Sequence, residues 1–164
     1  MAAAAAALAR GIGTEPVREA LRSFAGVPHR LEEVAEHAGV LYFNDSKATN
    51  PASARVAVEA FAGGVHLILG GRAKGGGFEE LREPVSARCR AAYLIGEAAE
   101  AIARDLSGVV PLHRCGGLER ALAAARAAAR PGDVVLLSPA CASFDQYRDF
   151  EERGEHFRAL ALAA

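Results

Sequence analysis

Val40-Leu41-Tyr42-Phe43-Asn44-Asp45-Ser46-Lys47-Ala48-Thr49-Asn50-Pro51 decides the fold. Its first five residues are mainly apolar and aromatic, which suits a strand. Asp45 to Asn50 is a run of small polar residues that favour turns. Asn50-Pro51 reads as a helix N-cap followed by proline at the first helical position, where the missing N–H costs nothing. A helix to about Phe61 follows, and then Val65–Leu69, a short strand that is almost wholly apolar. Strand, polar loop, helix and a strand without polar alternation form a unit whose sheet is covered on both faces.

The same alternation extends outward. On the amino-terminal side, Leu31–Glu36 is a predicted strand joined to Val40–Asn44 by the tight turn His37-Ala38-Gly39. Before it, Thr14-Glu15-Pro16 opens a helix capped by Thr14, with Val17, Leu21 and Phe24 on one face and Gly26 at its end. Met1–Ala7 is apolar but has no basic flank, and it is too short to span a membrane. It reads as the end of a helix. On the other side, Ala91–Ile95, Val109–Leu112 and Val134–Leu137 are predicted strands. Ile95, Ala99, Ile102 and Leu106 have helical spacing, as do Leu118, Leu122, Ala125 and Ala129. Pro131-Gly132 is a turn, and the chain closes on a helix from about Phe144 to Leu162 with Phe150, Phe157 and Leu160 on one side. The expected fold is α/β, a mostly parallel sheet with helices on both faces. Residues 1–30, two helical pieces, differ in kind from residues 31–164, and a domain join is expected between them.

Composition narrows the chemistry. The formal net charge is −1 with no long run of like charge, which argues against a nucleic-acid or membrane-surface role. Cys89, Cys115 and Cys141 lie far apart with no CxxC pair, so the expectations are a reducing, cytoplasmic compartment and no metal site. Of 19 basic residues only Lys47 and Lys74 are lysine; Asn44 and Asn50 are the only asparagines and Gln146 the only glutamine. In a chain this rich in Ala, Gly and Arg, such survivors mark positions where chemistry needs them, and all five fall at three short loops.

Those loops are 45–50, 70–77 and 138–143, each following a predicted strand. In open α/β sheets ligands bind at that edge. Helix starts nearby favour an anion. Taken singly the residues have plainer readings. The glycines of 70–77 suit a flexible connection; they are neither a Walker loop nor a dinucleotide fingerprint. Asp45-Ser46-Lys47 suits a turn, and Ser143 suits the N-cap of the last helix. His66 and His113 read as structural, and no GxSxG supports hydrolase chemistry.

Together the strings are specific. Val27-Pro28-His29-Arg30, Asn44 to Asn50, Leu69-Gly70-Gly71 with Lys74-Gly75, Leu137 to Gln146, and Phe150-Glu151-Glu152-Arg153-Gly154 resemble the Mur ligase family in order and spacing. Within it they resemble the branch that joins D-glutamate to UDP-N-acetylmuramoyl-L-alanine. The resemblance implies a Rossmann-like C-terminal domain, preceded over residues 1–30 by the helical end of a central ATPase domain. It implies ATP and Mg2+ as cofactors, bound mainly by that central domain, whose P-loop does not occur in these residues. It implies that Thr49, Lys74, Ser143, Phe144 and Phe150 hold D-glutamate, that Arg30 and Asp45 meet ATP, and that Lys47, with Lys74, lies near the reacting centre. It also implies that this chain alone makes no amide. The alternatives are a sibling Mur ligase, a folylpolyglutamate synthase domain, or a non-catalytic binding module.

Overall fold

The computed structural model describes residues 2–24 and 26–163; Met1, the first residue of the apolar Met1–Ala7 stretch, lies outside the described residues, as do Ala25 and Ala164. Two helices come first, α1 (Ala2–Ala9) and α2 (Thr14–Ser23), and neither buries a residue. Leu8, Ile12, Leu21 and Phe24 stand exposed. Thr14 is the first helical residue and not the cap; Gly13 holds that position and makes no side-chain bond. The helix stops at Phe24, before Gly26.

β1 (Glu32–His37) and β2 (Val40–Asn44) pair antiparallel through a two-residue turn in which Ala38 and Gly39 have φ of 52° and 75°. Two consecutive left-handed residues give the turn whose twist matches a hairpin. Gly39 adopts this freely, while Ala38 does so at a cost of roughly 1 kcal/mol.

α3 (Pro51–Glu59), β3 (Val65–Gly70), α4 (Arg82–Arg88), β4 (Cys89–Ile95), α5 (Ala99–Asp105), β5 (Leu112–Gly116), α6 (Leu118–Ala128), β6 (Val134–Leu137) and α7 (Phe150–Leu162) follow. Strand order is β1-β2-β6-β3-β4-β5, and every pair except β1–β2 is parallel. Side-chain alternation builds two cores. Leu67, Leu69, Leu94 and Leu136 face α3, α4 and α5 with Val58, Val85 and Ile102. Ile68, Tyr93, Ile95 and Leu137 face α6 and α7 with Leu122 and Phe157. Successive strand residues point to opposite faces, so a parallel sheet covered on both sides must be apolar throughout. Each fully buried Leu or Ile adds about 1.5–3 kcal/mol relative to exposure, and β3 is buried along its whole length.

Three elements depart from expectation. The segment after the glycine loop forms a short 3-10 turn (Glu79–Leu81) and α4, whose Leu81 and Val85 complete one core. β5 lies at 112–116 rather than 109–112: Val109 and Val110 pack against the core from the turn after α5, while the edge strand presents the exposed His113 and Arg114. α7 begins at Phe150, capped by Asp149, whose side chain accepts from the Glu152 amide. Ser143 is therefore no helix cap.

Candidate functional site

β2, β6 and β3 lie side by side, and their carboxyl ends emit the three polar loops. From β3 the chain turns toward β4; from β6 it turns back to α7, which packs on β1 and β2. Connections diverging in opposite directions leave a crevice between them.

Hydrogen bonds fix the floor of this crevice. The Asp45 amide donates to Leu137 O at 2.8 Å, which anchors the first loop on β6. The Asp45 carboxylate accepts from Ser138 Oγ at 2.7 Å and from the Leu31 amide at 3.2 Å. Burial pushes its pKa upward against the pull of these donors and of the nearby Arg30 charge, and burial wins. In the second loop Gly70 and Gly71 have φ near +130°, at 128° and 129°. A Cβ at Gly70 would collide with Ile95 O, and one at Gly71 with Ala142 O. Only glycine permits both the angle and the approach. That approach lets the Arg72 and Ala142 amides each donate to the other's carbonyl, at 2.8 and 3.0 Å, joining the second loop to the third. Asp145 Oδ2 accepts the Glu97 amide at 3.0 Å and ties the third loop to the turn after β4.

Two depressions open above this floor. The smaller, about 320 Å³, is lined by Lys47, Thr49, Lys74, Ser143, Phe144 and Phe150, together with Ala142, Asp149 and Glu151. Lys74 Nζ donates to Thr49 Oγ1 at 3.0 Å. Lys47 Nζ lies 3.7 Å from the centroid of the Phe150 ring, a cation–π contact that holds the ammonium over the depression. The Ser143 hydroxyl has no hydrogen-bond partner among the described residues, although Ser143 is 2% exposed and its carbonyl accepts from the Gln146 and Tyr147 amides. The first residues of α7 form one wall, so a helix N-terminus adds partial positive charge. Asp149 and Glu151 are the opposing charges among the lining residues. The larger depression, about 450 Å³, is lined by Arg30, Asp45, Lys47 and Thr49, by Asn50 and Ser53 at the start of α3, and by apolar Leu31, Val56 and Ala57. Lys47 and Thr49 line both.

The eight residues singled out from sequence thus fall into two adjoining hollows. Thr49, Lys74, Ser143, Phe144 and Phe150 surround one, Arg30 and Asp45 the other, and Lys47 stands at their junction. Among the described residues, no group of three or more His, Cys, Asp or Glu is arranged to hold a metal ion. Among the same described residues, no helix is long and apolar enough to cross a membrane.

The family described as "Mur ligase, glutamate ligase domain" matches residues 29–141. The chain belongs to the Mur ligase family. It is 52% identical over 163 residues to a UDP-N-acetylmuramoylalanine–D-glutamate ligase of Acidobacterium capsulatum, covering 99% of this chain and 35% of that protein. A ligase of the same name from Marinobacter nauticus is 51% identical over 163 residues, covering 98% and 36%. The chain therefore spans about a third of the length of these relatives. Among solved structures, a bifunctional folylpolyglutamate synthase/dihydrofolate synthase from Yersinia pestis superposes with TM-score 0.64 at 24% identity, over 90% of this chain and 34% of that one. The same enzyme has been solved with AMPPNP and a manganese ion. A murein peptide ligase from Psychrobacter arcticus superposes with TM-score 0.63 at 15% identity, over 96% and 34%. These likenesses confirm the α/β fold.

In this Mur ligase domain, sequence reasoning passed over the groups beneath the hollows. Arg153, on the first turn of α7, is 1% exposed and reaches Ser46, Cys141 and Gly70. His29 is buried with φ of 61°, and the Asn44 amide donates to its Nδ1 at 2.9 Å, which leaves the ring proton on Nε2, 3.6 Å from Glu155 Oε1. The His29 ring meets Phe150 edge-on, with centroids 6.0 Å apart. A Cβ at Gly154 would strike His29, which accounts for Arg153-Gly154 as a pair. Both His29 and Arg153 lay inside strings that carried the family resemblance, and that was the available signal.

Proposed function

We propose that the chain is the amino-acid-binding part of an ATP-dependent ligase that joins D-glutamate to UDP-N-acetylmuramoyl-L-alanine in peptidoglycan synthesis. One observation carries this reading. In a chain about half identical to D-glutamate ligases, Lys47, Thr49, Lys74 and Ser143 turn their donors into one hollow. D-glutamate carries two carboxylates and needs donors at both ends. Lys74 supplies a charge, Thr49 and Ser143 supply hydroxyls, and the start of α7 supplies backbone N–H groups. Phe144 and Phe150 flank the aliphatic stem.

The larger hollow suits the phosphates and ribose of ATP. The Arg30 guanidinium has no hydrogen-bond partner among the described residues, and the start of α3 faces it. Asp45, with both carboxylate oxygens already accepting hydrogen bonds, keeps a lone pair for a ribose hydroxyl. Mg2+ does not fit here, because Asp45 is the only carboxylate lining this hollow; we assign the ion to the remainder of the ligase. We likewise assign residues 1–30 to the helical end of the central ATPase domain, because α1 and α2 bury nothing of their own and expose apolar side chains. ATP as co-substrate puts the reaction in the cytoplasm.

None of these side chains need act as nucleophile or base. Positioning an amine against an activated carboxylate is itself worth several kcal/mol, out of roughly 7–11 kcal/mol available from orientation. Closure over the hollow would exclude water and strengthen each charged contact. With no Gly-Lys-Ser/Thr phosphate loop in these residues, the chain alone forms no amide. The test is an amide-formation assay on the full-length protein with ATP and UDP-N-acetylmuramoyl-L-alanine. Product should form with D-glutamate and not with L-alanine, L-glutamate or a diamino acid. Turnover with any of those at a comparable rate would overturn the assignment.

A further inference from the structure

Arg153 is one of the largest fully buried side chains, and it makes no ion pair among the described residues. Burial holds its pKa down at about 10, still far above neutrality, so the guanidinium is charged. Asp145 acts on it only through space; a buried charge without a direct ion pair is costly, and an apolar side chain of similar volume commonly serves a core equally well or better. Packing therefore gives no reason for an arginine here. Its contacts supply one.

Nε donates to Ser46 Oγ at 3.0 Å, and Nη2 donates to Ser46 O at 2.9 Å and to Cys141 O at 3.1 Å. Nη1 reaches Gly70 O at 3.5 Å. Ser46 Oγ in turn donates to Phe150 O at 2.8 Å. These oxygens belong to the three strand-end loops and the first residue of α7. Each lies within a few residues of a donor or wall of the smaller hollow: Ser46 precedes Lys47, Cys141 stands two before Ser143, Gly70 stands four before Lys74, and Phe150 is itself a wall. A planar fork of five donors on one rigid group sets the spacing of several acceptors at once, which a single ammonium cannot do.

We propose that Arg153 is a positioning residue whose guanidinium fixes the mutual spacing of the three loops, and with it the placement of Lys47, Lys74 and Ser143 around the amino acid. The inference rests on the amino-acid site described above. It separates from that site by experiment, because the loops can be followed without any ligand.

The test uses the full-length ligase with Arg153→Lys, which keeps the charge and loses the fork, beside Ser46→Ala and Lys74→Ala. In Arg153→Lys, amide exchange at Lys47, Arg72 and Ala142 should quicken by about tenfold or more, while Leu67, Leu94 and Val135 in the strands keep their protection. KM for D-glutamate should rise by about tenfold or more, with KM for ATP within about threefold, because Asp45 is held by Ser138 and Leu31 and not by Arg153. Ser46→Ala should move both quantities in the same direction, less far. Exchange that quickens equally in the strands would make Arg153 a general support of the fold and overturn the proposal. So would an unchanged KM for D-glutamate in Arg153→Lys when Lys74→Ala raises it. If Lys74→Ala also leaves that KM unchanged, the amino-acid site itself is wrong and the inference falls with it. Should Arg153→Lys not fold, Ser46→Ala decides, and a normal KM for D-glutamate there contradicts the proposal.

Discussion

The two ends of the parallel strands carry buried polar clusters built from the same kinds of side chain, yet they are left in opposite conditions. Toward the amino ends of β3, β4 and β6, His66 Nδ1 takes the Tyr93 hydroxyl at 3.0 Å while Nε2 faces Asp133 Oδ2 at 3.4 Å. Asp133 also accepts from Arg90 Nε at 2.8 Å and from the Arg130 amide at 2.9 Å. Tyr93 stacks on His113 with centroids 5.0 Å apart. Each polar atom is answered from within. At the carboxyl ends, Asn44, Asp45, Ser46 and Arg153 are likewise answered, but a second row stands in front of them. Lys47, Lys74, Ser143 and Arg30 present donors to open hollows. A closed polar cluster holds the fold. Donors organised by a closed cluster and left facing a hollow await a ligand.

The sharpest way to break this contrast is to open the closed end. Asp133→Ala removes an acceptor from three donors at a site 3% exposed. It should cost about 3 kcal/mol of stability, the upper range for hydrogen bonds to a buried charge. The full-length ligase should still keep its KM for D-glutamate. Thermal unfolding of the chain, with a drop of roughly 6–12 °C at this size, checks the first part. A changed KM at an unchanged melting temperature would mean the two ends are not separate in role.

A smaller effect sharpens the same point through pH. Burial pushes the His66 pKa below its ordinary 6.5, against the upward pull of Asp133. The unfolded chain therefore takes up the proton first as pH falls. The stability that His66 contributes is full above about pH 6.5 and is lost as pH falls through the folded value. Asp133 adds a separate loss at lower pH. Burial alone would raise its pKa, but the hydrogen bonds from Arg90, Arg130 and His66 outweigh burial and hold the carboxylate below its ordinary 3.8. His66→Gln should flatten the upper window only. If unfolding of wild type and His66→Gln follows the same pH curve as pH falls below the ordinary 6.5, the closed cluster does not carry its charge as described.

The sequence disclosed the fold where one force dominated. β2, β3 and β6 are apolar on both faces because helices cover both faces, and their bounds follow from hydrophobic runs. It misled where apolar residues serve packing outside a strand. Val109 and Val110 fill the core from a turn, whereas the edge strand beside them carries His113 and Arg114, since an edge faces water. α4 was hidden behind the glycines of 70–77, with Pro84 inside its first turn. The front row of the site was legible because lysine and asparagine are scarce in this chain and gather at strand ends. The row behind it was not. Arg153 is one of 17 arginines in a helical stretch of alternating charge, and only the three-dimensional return of α7 over β2 reveals what it holds. His29 likewise needed the loop closure that brings it to Asn44 and Gly154.

On the proposed function, the smaller hollow is built for the carboxylates of D-glutamate, and Lys74 meets one of them as a compact charge. Lys74→Arg in the full-length ligase tests it most directly. Arginine stands two residues away at Arg72, where it is tolerated, but its wide planar head would displace a ligand fitted to an ammonium. A displacement of about 1 Å costs on the order of a hundredfold in rate. Lys74→Arg should lose nearly as much kcat/KM for D-glutamate as Lys74→Ala, with KM for ATP and melting temperature unmoved. Retention of that constant within about threefold of wild type, under roughly 1 kcal/mol, would contradict it.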